Sequence, residues 1–94
     1  MALTERFEND KIEVVGPYKA VQVRKATIIE KDGVEISRSF HRHALQCGTL
    51  DDSDNLVDTD ISGEDADVQA ICIAAWSAPV KAAYKAHLIS LKPA

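Results

Sequence analysis

The stretch Val21–His43, VQVRKATIIEKDGVEISRSFHRH, decides the architecture of this 94-residue chain. Two β-prone segments flank the dipeptide Asp32-Gly33. A type I′ turn needs positive φ at both central positions, and Asp-Gly is one of the dipeptides that supply it. The pattern therefore predicts an antiparallel β-hairpin over residues 21–45, closed on Asp32 and Gly33.

The predicted register starts from Lys31 facing Val34 and pairs Ile29 with Ile36. Because strand side chains alternate, this register defines two faces, and a one-residue slip would exchange them. The more apolar face is the predicted core face, with Val21, Val23, Lys25, Thr27, Ile29, Val34, Ile36, Arg38, Phe40, Arg42 and Ala44. The more polar face carries Gln22, Arg24, Ala26, Ile28, Glu30, Glu35, Ser37, Ser39, His41, His43 and Leu45.

The residues before the hairpin predict an arm and a short strand. Residues 1–11 are mostly polar, and we expect them to form a polar arm. Lys11–Val15 (KIEVV) predicts a strand that stops at Gly16-Pro17, because proline has no N–H to donate to a ladder. The sheet is thus predicted as an antiparallel meander of two or three strands over residues 12–45.

The residues after the hairpin predict an acidic loop and two helices. Residues 46–61 contain five Asp, and a helix is expected near Ser62, with Asp65 completing an approximate capping box. Pro79 interrupts the helical pattern and Ser77 is suited to cap a second helix. The prediction is a single α+β domain over residues 1–94, with the meander packed on one face by a helical pair at residues 62–91.

Size and charge restrict the possible partners. Ninety-four residues bury a small core, so stability is expected to come partly from assembly with further copies. The net charge is −4, and residues 48–94 carry eight Asp or Glu against three Lys. Binding to nucleic acid or to an anionic membrane requires a basic surface, and we expect neither partner. With no signal peptide and no apolar run of roughly 18 residues, Cys47 and Cys72 are expected to be reduced thiols in a cytoplasm.

Three patterns suggest chemistry, and none is complete. His41 and His43 with Cys47 offer soft metal ligands, but a structural zinc site needs four ligands and only His87 remains. Residues 58–63 (DTDISG) match the first half of a calcium loop, whose twelfth position should be Glu and is Gln69 here. We therefore expect no metal and no cofactor. Ser37 and Ser39 near the histidines do not form a nucleophile, base and orienting group, so no enzyme activity is expected.

The remaining interpretation is a contact surface. Arginine and histidine on an exposed strand favour protein interfaces. The predicted protein-contact residues are Arg24, Arg38, His41, Arg42 and His43, whereas Trp76 and Tyr84 are expected in the core.

The runs VVGPYKAVQVRKATIIEKDGVEISRSFHRH and DISGEDADVQAICIAAWSAPVKAAYKAHL resemble a family of small tailed-bacteriophage proteins of the marine and aquatic type. The resemblance covers Lys11 to Leu88 and brings no catalytic or binding residues with it. It implies a structural or adaptor subunit of the virion, in the tail, baseplate or fibre-attachment region, made in the host bacterial cytoplasm. The implied partners are copies of the chain and other virion proteins. A capsid decoration protein, and a non-virion assembly chaperone or host-protein-binding module, stay open as alternatives.

Overall fold

A three-stranded antiparallel sheet in the order β1-β2-β3 is the largest element of the molecule. A computed structural model describes residues 2–93. Two short strands pair with each other beside the sheet, and two helices follow. This confirms the predicted α+β fold of a meander with a C-terminal helical pair. The elements are β1 (Leu3–Val15), β2 (Ala20–Lys31), β3 (Val34–Leu45), β4 (Gly48–Leu50), β5 (Leu56–Asp58), α1 (Ala66–Ala75) and α2 (Ala78–Ser90).

The prediction of a polar arm at residues 1–11 is wrong, because β1 begins at Leu3 and pairs with β2 as far as Lys31. The central strand needs hydrogen-bond partners on both sides, and this non-local pairing outweighs the polar composition of the segment. One residue of β1, Asp10, is extra in the ladder, where the register shifts between Asn9 and Lys11. The predicted stop at Gly16-Pro17 is confirmed.

The predicted turn is confirmed, and the predicted register holds for only two pairs. Asp32 and Gly33 have φ of 51° and 83°, and Lys31 faces Val34. The ladder then shifts so that Ile29 faces Ser37 rather than Ile36. From there on, the assignment of β3 residues to the two faces is the reverse of the prediction. The physical gain is burial, because the shift brings Leu45 onto the core face and moves the arginines of β3 away from it.

The core lies between one end of the sheet and α1. Val21 and Val23 of β2 were predicted to face it and are fully buried there. The Nε1–H of Trp76, at the end of α1, donates to the carbonyl oxygen of Lys19 at 2.8 Å, which ties the helix to the β1–β2 turn. The buried cluster consists of Val21, Val23, Cys47, Val68, Cys72 and Trp76, as expected for Trp76, and Tyr84 packs against it.

The helix boundaries differ in part from the prediction. The residue preceding α1 is Asp65, whose side chain makes no capping bond, so the proposed box with Ser62 is wrong. The N–H of Ser62 instead donates to Asp60 Oδ1 at 2.9 Å. The predicted cap of α2 is confirmed, because Ser77 Oγ accepts a hydrogen bond from the N–H of Val80. The predicted loop at 46–61 contains β4 and β5.

The molecule is elongated, measuring 62 × 26 × 21 Å. Its radius of gyration is 17.6 Å, whereas a compact chain of this length has about 12 Å. The excess length comes from the sheet, which continues past the start of α1.

Candidate interaction surfaces

The start of α1 divides the sheet into a covered and an uncovered part. Asp65 contacts Lys25 of β2, with Nζ 3.3 Å from Oδ2, and accepts a hydrogen bond from Asn9 of β1 at 2.9 Å. Beyond this point lies what we call the outer half of the sheet, residues 3–9, 25–31 and 34–41. We call the face that bears the helices the helix-side face, and the opposite one the back face.

On the back face of the outer half, charged side chains of the sheet itself cover the apolar surface. Ile28 lies between Arg6 and Arg38, its neighbours on the adjacent strands, and has no exposed surface. Arg38 binds Glu35 at 2.7 Å and Glu8 at 3.1 Å. Its guanidinium lowers the pKa of the Glu35 carboxyl by hydrogen bonding. The aliphatic parts of these arginines cover apolar surface while their charged ends pair.

The helix-side face of the outer half has the opposite character. We call it the open patch; it consists of Leu3, Glu5, Phe7, Thr27, Ile29, Val34, Ser37 and Ser39. Leu3, Phe7 and Val34 are each about 60% exposed, at 62%, 58% and 64%. Among residues 2–93, every ion pair of the outer half beyond Lys25 lies on the back face. The open patch thus combines exposed apolar groups and hydroxyls with one carboxylate, Glu5, and has the mixed polar and apolar character of a protein interface.

We call the rest of the sheet, residues 10–15, 20–24 and 42–45, the inner half. Its back face bears a shallow cavity of about 370 Å³. Arg24 and Arg42 lie directly opposite each other on β2 and β3 at its rim. Like charges in such a position repel, and Asp10 compensates one of them by accepting two hydrogen bonds from Arg24, at 2.9 and 2.7 Å. Arg24 also lies over the ring of Phe40, 4.3 Å from its centroid. The bulge in β1 supplies Asp10, whose carboxyl pKa the guanidinium lowers.

The five predicted contact residues do not form one surface. Arg24, Arg38 and Arg42 lie on the back face, whereas His41 and His43 lie on the helix-side face, opposite Lys25 and Val23. The predicted position of the histidines beside Arg24 and Gln22 is wrong because of the register shift. His43 is half-buried, with Nε2 2.8 Å from Glu64 Oε1, and His41 is exposed at the edge of the open patch.

The acidic segment mainly holds the helices in place. Asp58 pairs with Lys81 of α2 at 3.2 Å, and Asp54 pairs with Lys92. Asp51 Oδ1 accepts the N–H groups of Ser53 and Asn55 and so closes the β4–β5 turn. The carboxylates that match a calcium loop in sequence are thus used in other contacts.

The predicted soft ligands are also separated. Cys47 and Cys72 are free thiols in the core, and burial raises the pKa of both. The rings of His41 and His43 lie 6.3 Å apart, centroid to centroid. Within residues 2–93, no three His, Cys, Asp or Glu side chains converge as metal ligands would.

Sequence reasoning missed the open patch because it assigned residues 1–11 to an arm. Leu3 and Phe7 share a face in a strand, and that face joins Thr27 and Ile29 of β2. The feature of the sequence that could have indicated this pairing is the continuation of β2 to Lys31. A central strand of that length requires a hydrogen-bonded partner strand along its whole edge.

No helix within residues 2–93 has the length and apolarity needed to cross a membrane. No family model matches the chain, and neither a curated protein nor a solved structure matches it. What is established is therefore the class of fold, an α+β chain with a three-stranded antiparallel sheet that extends beyond its helices.

Proposed function

We propose that this protein is a small structural or adaptor subunit of a tailed-phage particle, and that it acts through protein–protein contacts. The observation that carries the assembly role is the open patch, a largely apolar face that spans half of the main sheet and that no other part of residues 2–93 covers. The phage setting is supported by the sequence resemblance described above.

The contrast between the two faces of the outer half supports the proposal that the open patch binds another protein. Both faces of the outer half belong to the same three strands, and only the back face is protected by ion pairs. An apolar face such as the one around Phe7 is costly in water, and contiguous exposed patches of this kind commonly mark interaction sites. The arginines of the back face offer a second, charged surface for neighbouring proteins.

The proposal is tested by quantitative mass spectrometry of purified particles. We expect this chain at a fixed copy number relative to the major structural proteins. Its absence from particles that are otherwise complete, together with its presence in the infected-cell lysate, would contradict the proposal and favour an assembly chaperone.

A matched pair of variants tests the surface. Phe7→Ser removes the largest apolar side chain of the open patch, and Val57→Ser removes an exposed apolar side chain of β5 outside it. We expect Phe7→Ser to lower incorporation into particles at least several-fold and Val57→Ser to leave it unchanged. Equal incorporation of both variants would show that the open patch is not the contact surface.

A further inference from the structure

The outer edge of β3 is a long stretch of backbone without a partner. β3 is an edge strand of the sheet, and Ser37–Ala44 pairs regularly with β2 on one side only. Within residues 2–93, no backbone hydrogen bond outside the β2–β3 ladder involves this segment. In an antiparallel strand, alternate residues direct their N–H and C=O groups away from the neighbouring strand. Ser37–Ala44 therefore offers about eight unpaired polar groups at this edge.

β3 lacks most of the features that protect a sheet edge in natural proteins. Short length, proline, lysine and bulges prevent other strands from pairing with an edge. β3 is 12 residues long, contains no proline or lysine, and is irregular only at Ile36, close to the turn. The outer edge of β1 differs, because its extra residue Asp10 interrupts the regular spacing near the middle of the strand. The edge of β3 is therefore the better template for an added strand.

The charges along β3 restrict the chemistry of such a strand. Arg42 is exposed on the back face, and no carboxylate of residues 2–93 pairs with it, whereas Arg24 opposite it is bound by Asp10. Arg38 on the same face is already bound by acidic side chains of the chain itself. A carboxylate beside Arg42 would therefore compensate a charge that these residues leave uncompensated. Phe40 lies between Arg38 and Arg42, is 45% exposed, and favours an apolar neighbour.

The same arginines argue against a second copy of β3 as the added strand. A two-fold axis would pair β3 with itself in an antiparallel arrangement. In every register centred between Arg38 and Arg42, arginines of the two copies then lie opposite or diagonal to one another. Like charges in these positions repel. The edge is therefore better suited to a different segment that carries negative charge.

We propose that the outer edge of β3 binds an extended segment of another protein as a fourth, antiparallel strand, with a carboxylate opposite Arg42 and an apolar side chain opposite Phe40. The inference rests on the proposed role in assembly and names the chemistry of one partner. About eight main-chain hydrogen bonds are as many as a typical specific interface contains, so the affinity does not depend on a large apolar area. Glu5, the carboxylate of the open patch, lies on β1 at the other edge of the sheet and stays in water.

A capped seven-residue peptide tests the inference in the full chain. The peptide TETVTQT, paired antiparallel with residues 37–43, places its Glu opposite Arg42 and its Val opposite Phe40. Its titration into the isotope-labelled chain should shift the backbone amide resonances of residues 37–44, with a dissociation constant on the order of 1 mM. The peptide TKTVTQT, in which Lys replaces Glu, should bind about fivefold more weakly.

Backbone methylation separates strand addition from binding through side chains alone. Two versions of TETVTQT carry N-methyl groups on alternate residues, one version at the odd positions and the other at the even positions. In an added strand only one of these two sets of N–H groups faces β3, and the other faces solvent. We therefore expect one version to bind like the unmodified peptide and the other to lose binding.

Charge reversal on the protein provides the complementary test. Arg42→Glu should reverse the preference, so that TKTVTQT binds about fivefold more tightly than TETVTQT. Lys85→Glu makes the same change in charge on α2, away from this edge, and should leave the preference unchanged. Circular dichroism of both variants verifies their fold.

Four results would overturn the inference. These are the absence of amide shifts in residues 37–44 at several millimolar peptide, equal binding of the two methylated versions, an unchanged preference in Arg42→Glu, and shifts of the same amides with protein concentration alone, which would identify a second copy as the added strand.

Failure of this inference is distinguishable from failure of the proposed function. A chain that is found in particles at fixed copy number but binds no peptide retains the assembly role and loses the site at β3. A chain that is absent from particles but binds the peptide through β3 has the reverse outcome.

Discussion

Ile28 is the largest fully buried side chain of the described residues, and it lies on the back face, away from the helices. Its cover consists of charged side chains rather than of a second apolar layer. Its neighbours Arg6 and Arg38 bind acidic partners on other strands, Glu30 and Glu8, and these bonds keep their aliphatic parts over the strand. Burial of an apolar residue therefore does not require that the face be part of the hydrophobic core.

Replacement of Ile28 by alanine should destabilise the protein by about 2 kcal/mol. This is the lower end of the usual range for buried isoleucine, because flexible arginine side chains can move into the space. Urea unfolding followed by tryptophan fluorescence measures the change. Ile36→Ala, at a residue that is 57% exposed, serves as the control, and an equal loss in both variants would contradict the buried position of Ile28.

Gly48 is required for a different reason, which is the close approach of β5. A Cβ at this position would lie 2.6 Å from the carbonyl oxygen of Val57 and 2.9 Å from Leu56 Cγ. We expect Gly48→Ala to cost about 1–3 kcal/mol through displacement of the β4–β5 pair. Thermal unfolding is the measurement. Gly63→Ala is the matched control, since an added Cβ there meets no heavy atom within 4 Å, and a similar loss in that variant would argue against a steric cause.

At the scale of elements, the bulges of the sheet place its charges. The extra residue in β1 puts Asp10 beside Arg24, and the shift in β3 separates the histidines from the arginines. The β1–β2–β3 sheet is thus held on its back face by carboxylates bound to guanidinium groups. Another carboxylate, Asp65, joins the start of α1 to the sheet through Asn9 and Lys25.

These pairs predict lower stability in acid. Hydrogen bonds from Arg24 lower the pKa of Asp10 below its ordinary value of 3.8, and those from Asn9 and Lys25 do the same for Asp65. A carboxyl group with a lowered pKa in the folded state adds stability above its unfolded pKa and loses it as the pH falls through the folded pKa. The urea midpoint should therefore decrease from about pH 4 downwards.

The variant Asp10→Asn should be less stable than the unaltered chain at pH 7 and should lose less stability between pH 5 and pH 2. Asp52→Asn changes an exposed carboxyl group and provides the control. The same acid dependence in Asp10→Asn and in the unaltered chain would show that the Asp10–Arg24 pair does not contribute to it.

At the scale of the whole molecule, the elongated shape is measurable. The chain is 62 Å long with a radius of gyration of 17.6 Å, whereas a compact chain of this length has about 12 Å. Small-angle scattering of a dilute solution should therefore give a radius of gyration near 17.6 Å. A value near that of a compact chain would contradict the extension of the sheet beyond the helices.

Local features of the sequence were sufficient for much of the fold. The Asp32-Gly33 turn, the stop at Gly16-Pro17 and the Ser77 cap depend on a few adjacent residues, and all are present in the structure. The candidate surface was harder to predict from the sequence. Three predicted contact residues share the back face, whereas the open patch includes Leu3 and Phe7 from a segment that was predicted to be an arm.

The sequence by itself determined the class of fold, the turn of the main hairpin and the position of the second helix, because backbone preferences and hydrogen bonds over a few residues set them. Only the tertiary structure decided the register beyond Ile29, the length of β1 and which half of the sheet the helices cover. These depend on residues far apart in the chain. The burial of Leu45 and the need of β2 for backbone hydrogen-bond partners along its whole edge outweigh local composition. As a result, the open patch lies at the end of the sheet that the helices do not reach.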